Sequence, residues 1–182
     1  MKSLPSQSLP IVSRRSALAA IAASAAGVAA VTLTRAQEPS MAQKPSTAAH
    51  NDLTAIHYEI DFAAPPARFY QAITDQKQFA SFSGLPATID PNPGGAFSMF
   101  GGLIVGRNIE LVPNVRIVQA WRPTHWDPSI YSIVRFEIKP RGSELNLVFD
   151  HTGFPAGEYD HLDFGWHSHY WEPLKKYFAS QG

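Results

Sequence analysis

The spacing of hydrophobic residues changes along the chain, and each spacing predicts a different kind of element. Residues 54–62 alternate apolar and polar side chains, with Ile56, Tyr58 and Ile60 on one side. A period of two is typical of a half-buried β-strand. After the diproline at residues 65–66, apolar residues recur three and four positions apart, which predicts two short helices.

The middle of the chain contains five runs rich in β-branched and aromatic residues, separated by tight breakers of proline, glycine and asparagine. Connections this short exclude parallel crossovers, which need about a dozen or more residues. The runs therefore predict an antiparallel meander, which we expect to be strongly curved. The five runs cover residues 97–100, 103–112, 116–121, 131–139 and 144–149.

The C-terminal segment from Asp160 to Ala179 has helical spacing, with Asp160 as a candidate N-cap. At about 100° per residue its apolar side chains fall on one broad arc, which contains His167 but not His169. We therefore predict one long helix packed across the sheet, and the fold class is α+β. The apolar arc consists of Leu162, Phe164, Trp166, Tyr170, Trp171, Leu174, Tyr177 and Phe178.

The first 36 residues have the layout of an export signal. Arg14 and Arg15 precede an uncharged, alanine-rich run over residues 17–33, and Arg35-Ala36 ends it. Paired arginines before a run of modest hydrophobicity resemble a twin-arginine signal peptide. We expect cleavage after Ala36 and a periplasmic or secreted protein that no longer contacts the membrane. An uncleaved membrane anchor is the alternative, although the run is short and diluted by polar residues.

Composition limits the domain organisation and the partners. Residues 37–52 are rich in proline, serine, alanine and glutamine and predict a flexible linker, so one folded domain covers residues 53–182. Without the first 36 residues the chain has 11 basic and 15 acidic residues, a net charge of −4. This balance argues against nucleic-acid binding. The absence of cysteine excludes disulfides, thiolate nucleophiles and cysteine-ligated metals.

Several segments of the predicted domain carry a family resemblance over about residues 53–178. They resemble the activator-of-Hsp90-ATPase homologue (AHSA-type) family, within the START-like, Bet v 1-like (SRPBCC) helix-grip superfamily. The resemblance implies the same order of elements, with an apolar cavity between the long helix and the sheet. The segments are residues 106–122, Trp126 with residues 131–132, residues 151–155, and residues 165–166 followed by 170–174.

The resemblance also has limits. The resemblance implies a separate chaperone-binding domain in the eukaryotic namesake of the family, which we do not expect in this protein, and we expect an exported protein to meet neither Hsp90 nor ATP. We therefore do not expect Hsp90 as a partner. Trp121-Arg122 and His125-Trp126 lie in a predicted loop region and are candidates for contact with another, unknown protein partner.

Candidate pocket residues are the large aromatics of the predicted strands and helix, together with two histidines. Ligand cavities are mostly apolar with a few polar groups. Ordinary core packing is the favoured explanation for any single aromatic, and only as a set do the aromatics indicate a cavity. A pocket histidine could orient a ligand or act as a general base. The candidates are Phe100, Trp121, Phe136, Phe149, His151, Trp166, His167 and Tyr170.

Other chemistry has little support in the sequence. Asp150 and His151 point to opposite faces of a strand, so they cannot both point inward. His167 and His169 lie about 200° apart on the helix, too far to share a metal ion, and we predict no metal site. No nucleophile elbow, phosphate loop or dinucleotide fingerprint occurs, and we assign no catalytic residue and no cofactor. Three hypotheses stay open: an exported binder of a small apolar or aromatic ligand, a regulatory protein-interaction module, and a cofactor-free enzyme using a pocket histidine.

Overall fold

The computed structural model describes residues 52–181. The predicted leader, and the predicted linker up to residue 51, lie outside the described residues. In chain order the elements are β1 (Ala55–Phe62), α1 (Pro66–Thr74), α2 (Gln76–Ser83), β2 (Thr88–Ile89), β3 (Ala96–Met99), a 3-10 turn (Phe100–Gly102), β4 (Ile104–Val112), β5 (Arg116–Pro123), β6 (Ser132–Arg141), β7 (Glu144–Thr152), α3 (Tyr159–Gly165), a π-helical turn (Trp166–Trp171) and α4 (Glu172–Ala179).

The strands form one antiparallel sheet in the order β1-β7-β6-β5-β4-β3-β2. The predicted meander from β3 to β7 is confirmed, and so is the α+β class. The first strand pairs with the last, with Ile56 opposite His151 and Phe62 opposite Leu145. β2 was not predicted, because two residues are too few to establish a period.

Residues at the ends of the two short N-terminal helices determine where these helices begin and end. Pro66 occupies the first turn of α1, where a missing N–H costs nothing. The Asp75 carboxylate accepts hydrogen bonds from the backbone N–H groups of Lys77 and Gln78, both at 2.9 Å, and so caps α2. Gly84, with a φ of 71°, ends that helix in the left-handed conformation.

The two faces of the sheet have different chemistry. The helices cover one face, where Phe69 packs against Phe62 and Phe136 with ring centroids 5.3 and 6.1 Å apart. The other face carries ion pairs between neighbouring strands, including Arg135–Asp150 at 2.7 Å. Exposed pairs of this kind contribute little to stability, so the aromatic core supplies most of it.

The C-terminal helix is continuous but changes its winding over Trp166–Trp171, where the N–H of Glu172 donates to the carbonyl of His167, five residues back. The cause lies in the sequence. Pro173 has no N–H to donate to the His169 carbonyl, and its ring would collide with that carbonyl in a regular α-helix. Widening this turn relieves the collision. Among residues 52–181 no helix has both the length and the apolar character needed to cross a bilayer.

The π turn corrects the predicted apolar arc. Residues five apart lie on the same side of such a turn, so Trp171 stacks on Trp166 with centroids 5.5 Å apart and 18° between the rings. In a straight helix Trp171 would share a side with Phe164, seven residues earlier. Phe164 is instead 67% exposed, and His167 is also exposed. The prediction that these two side chains lie on the buried side is wrong.

One hydrogen bond ties the start of the C-terminal helix to the sheet. The Tyr58 hydroxyl of β1 donates to the Asp163 carboxylate of α3. Burial, followed by this bond, raises the pKa of Tyr58 well above its ordinary value, so the phenol remains a donor at every physiological pH. The exposed ring of His167 rests edge-on against Tyr58, with centroids 5.1 Å apart.

Gly106 provides a test of the packing between β3, β4 and β5. A Cβ atom there would lie 2.1 Å from the backbone oxygen of Ala120 and 2.3 Å from Cζ of Phe97. We expect Gly106→Ala to lower the free energy of unfolding by about 3 kcal/mol. Gly165→Ala is the matched control, because its Cβ would meet nothing within 4 Å. Alanine is the better helix former, so this change should raise the free energy of unfolding by up to about 1 kcal/mol. Equal stabilities in urea unfolding would contradict this account.

Candidate ligand cavity

A cavity of about 470 Å³ lies between the first half of the C-terminal helix and the adjoining ends of β4 and β5. Its lining is mainly apolar and comes from four separate stretches of the chain, so no single motif encodes it. The lining residues are Leu85, Phe100, Leu103, Ile104, Trp121, Pro123, Thr124, His125, His161, Leu162, Phe164, Gly165, Trp166, His169 and Tyr170.

Half of the candidate pocket residues lie at this cavity. Phe100, Trp121, Trp166 and Tyr170 line it. The other four do not: Phe136 and Phe149 are fully packed between sheet and helix, His151 is fully buried behind Trp121 and Trp166, and His167 lies on the exposed side of the helix. The sequence identified inward-facing side chains correctly on the strands, but it could not tell where the core is filled and where it opens.

The wall at Phe100 has an unusual backbone. Phe100, Gly101 and Gly102 have φ angles of 53°, 67° and 98°, and a bulky residue with a positive φ is a genuine outlier. The Phe100 ring is held in place by Phe79 and Tyr170, with centroids 5.0 and 5.1 Å away. This turn directs the chain from β3 into β4 and places an aromatic side chain on the cavity wall.

Two polar groups in the wall are incompletely satisfied. The buried indole N–H of Trp121 has no hydrogen-bond partner among the described residues. The Tyr170 hydroxyl donates only to the Met99 sulfur, at 3.9 Å, which is a weak acceptor. Burial raises the pKa of Tyr170 well above its ordinary value, and the neighbouring Trp121 opposes that rise without forming a hydrogen bond of ordinary geometry to the phenol.

His151 belongs to a closed hydrogen-bond chain. The Trp166 indole N–H donates to its Nδ1 at 3.0 Å, so the histidine proton lies on Nε2 and points to Ser132 Oγ, 2.7 Å away. Ser132 in turn donates to the Trp121 carbonyl. Burial lowers the pKa of His151 to about 3. Both ring nitrogens are thus occupied, which leaves neither of them free to act as a general base.

The entrance of the cavity is apolar with a polar margin. Leu85, Leu103 and Phe164 line it although 44%, 62% and 67% of their surfaces are exposed. An exposed group of apolar side chains of this kind marks a ligand groove or a docking surface. His169, on the same helix as Phe164, is exposed as the helical wheel predicted, and it also lines the cavity.

A potential metal-ligating group that was not predicted from the sequence lies at the same entrance. His125, Glu158 and His161 place their ligand atoms within 4.8 Å of one another. The expectation of no metal considered only the pair His167 and His169. The available signal was Glu158-x-x-His161, three residues apart at a helix start, but the loop contact that adds His125 has no local signature.

The pH dependence of stability reports the burial of His151. An unfolded chain binds a proton at this imidazole near pH 6.5, whereas the folded chain does so only near pH 3. Between these values the unfolded state holds more protons, so the free energy of unfolding falls as the pH falls, by up to about 1.4 kcal/mol per pH unit. We expect the free energy of unfolding, measured with urea between pH 6.5 and 5, to fall less steeply with decreasing pH in His151→Gln than in the wild type. Identical slopes would place the charge change elsewhere.

Comparison with known proteins supports the fold and defines the family. The family model described as Activator of Hsp90 ATPase homolog 1-like protein matches residues 63–179. The human Activator of 90 kDa heat shock protein ATPase homolog 1 is 30% identical over 118 residues, which cover 65% of this chain and 35% of that protein. The chain spans about a third of the length of the curated relatives it matches.

Two solved structures share the architecture. An HSP90 activator from Plasmodium falciparum has a TM-score of 0.67 at 24% identity, with 70% of this chain and 97% of that chain covered. The Aha1 dimer from Colwellia psychrerythraea has a TM-score of 0.60 at 15% identity, with 71% and 100% covered. Together with the match of the family model to most of the described residues, these likenesses confirm the resemblance seen in the sequence: the chain belongs to the Activator of Hsp90 ATPase homolog 1-like family, with its helix-grip fold.

Proposed function

We propose that this is an exported ligand-binding protein that takes up a small apolar or aromatic molecule in the cavity between its C-terminal helix and its sheet. The observation that carries the proposal is the cavity itself. Its volume of about 470 Å³ lies within the range of about 300–1,000 Å³ that is usual for small-molecule sites. A domain of this size otherwise fills its interior, so a cavity lined by large aromatics favours an occupant.

The polar groups of the wall restrict the chemistry of the ligand. A buried N–H without a partner costs about 1–3 kcal/mol. The Trp121 N–H has no accessible surface in this structure, so a ligand acceptor recovers that energy only if the indole shifts toward the cavity. The Tyr170 hydroxyl, bonded only to sulfur, offers a second donor. The ligand class that fits best is an apolar or aromatic body that carries a carbonyl or ether oxygen.

A protein-interaction module is the second candidate function. The curated relatives are named as activators of the 90 kDa heat shock protein ATPase, and the exposed apolar entrance at Leu103 and Phe164 could receive a protein segment. A chain exported from the cytoplasm would need a different partner from that of its relatives. Both proposed functions use the same entrance. A small ligand would enter the cavity, whereas a protein segment would bind at its surface.

Filling the cavity separates these two functions. Ile104 lines the cavity and is half-buried, so Ile104→Trp places an indole in the ligand volume. We expect titration with anilinonaphthalene sulfonate to show affinity at least about tenfold weaker than that of the wild type. Ile133→Trp is the matched control, because Ile133 is 41% exposed on β6 and lies away from the cavity. It should bind the probe as the wild type does.

Equal probe affinities in both variants, or no probe binding by the folded wild type, would overturn the ligand proposal. Native mass spectrometry of the protein recovered from its own cell envelope gives an independent reading, since a stoichiometric small molecule is expected. A clean apo mass together with a co-purifying protein would favour the interaction module instead.

Export can be tested at the paired arginines. The twin-arginine route reads these guanidinium groups through a receptor, and lysine does not reproduce their planar geometry. We expect the double variant Arg14→Lys/Arg15→Lys to accumulate in the cytoplasm as the uncleaved precursor, which cell fractionation and immunoblotting measure. Arg35→Lys is the control, because it leaves the pair intact and should be exported normally. Normal export of the double variant would contradict this route.

A further inference from the structure

The polar margin of the cavity entrance consists of two imidazoles and one carboxylate that lie close together. His125 belongs to the loop between β5 and β6, while Glu158 and His161 lie at the start of α3. Residues three apart on a helix share a side, so the Glu158 and His161 side chains project together. The loop then brings His125 against them, and its ring lies 5.7 Å from that of His161, centroid to centroid.

The distances are close to those of a metal site. All three ligand atoms lie within 4.8 Å of one another, and His125 Nε2 is 3.7 Å from Glu158 Oε2. In a tetrahedral zinc site with bonds of about 2.0–2.1 Å, neighbouring ligand atoms are about 3.4 Å apart. Changes in side-chain torsion can close a difference of this size, because His125 and His161 are exposed.

We propose that His125, Glu158 and His161 bind one divalent transition-metal ion, with Zn²⁺ as the best match, at the entrance of the cavity. Two imidazoles and one carboxylate suit zinc, whereas calcium and magnesium prefer oxygen ligands. The described residues supply three ligands, which leaves a coordination position for water or another molecule. Three protein ligands with one open position are typical of zinc sites that act on or hold a ligand.

The position of the site gives the ion a role. His125 and His161 both line the cavity, so an open coordination position at this place can take an oxygen atom of a cavity ligand. This role depends on the proposed ligand binding, whereas metal binding itself does not. The ion would hold the polar end of the ligand at the entrance, with its apolar part directed toward Trp121.

A simpler explanation is an isolated surface ion pair. His125 and Glu158, with side chains 55% and 27% exposed, would then attract each other only weakly. His161 distinguishes the two explanations, because it has no function in an ion pair but is the third ligand of a metal site. Replacing His161 therefore tests the proposal more directly than replacing either partner of the pair.

The experiment is calorimetric titration of the metal-stripped, full-length, untagged chain with Zn²⁺ alone. We expect one ion per chain and affinity at least about tenfold weaker in His125→Ala, Glu158→Gln and His161→Ala. His169→Gln is the matched control, because His169 is also exposed and lines the cavity but lies outside the group. Circular dichroism verifies that each variant is folded. Because His125 and His161 are exposed, we expect their replacement to leave the core unchanged.

The outcomes separate the metal site from the proposed ligand function. No saturable binding, more than one equivalent site, or unchanged affinity in His161→Ala would overturn the metal proposal. Titration of anilinonaphthalene sulfonate, whose sulfonate can reach the ion, is then repeated with and without Zn²⁺. Stronger probe binding with the metal, lost in His161→Ala, supports the role at the entrance. Metal binding without any effect on the probe overturns that role and leaves the metal site standing.

Discussion

The packing of Trp166 between sheet and helix is the interaction on which the rest of this structure depends. Its ring lies 4.5 Å from Phe149 and 4.3 Å from Tyr170, centroid to centroid. Its N–H completes the chain through His151 and Ser132 to the backbone of β5. Aromatic rings contribute large apolar areas, and a buried indole N–H needs an acceptor. Trp166 meets both conditions and thereby fixes where the helix lies.

The position of Trp166 divides the interior between helix and sheet into a packed part and an open part. On the side of Trp171 the interior is filled by Phe62 and Phe149, while on the side of Trp121 the cavity begins. The π turn produces this division, because it stacks Trp171 on Trp166 and so turns both indoles toward the sheet. Pro173 is its cause. π turns occur frequently at functional sites, and here the turn supplies three cavity-lining residues.

Family membership and function remain separate questions for this chain. The fold is shared with proteins named as activators of an ATPase, but one fold can carry many functions, and the site decides among them. Behind the cavity wall, His151, a candidate general base in the sequence, accepts the hydrogen bond that holds Trp166 in position. The groups proposed to contact a ligand are instead the Trp121 N–H, the Tyr170 hydroxyl and the polar cluster at the entrance.

The sequence alone determined the architecture, because the periods of two and 3.6 and the short breakers depend only on local geometry. It also placed Phe100, Trp121, Trp166 and Tyr170 on inward faces. Tertiary structure decided what no local pattern contains. The π turn over Trp166–Trp171 shifted the buried side of the helix, and His167 is exposed. The loop between β5 and β6 meets the start of α3, where His125 lies against His161. Cavities and clusters depend on contacts between elements that are far apart in the sequence, and a local period contains no information about those contacts.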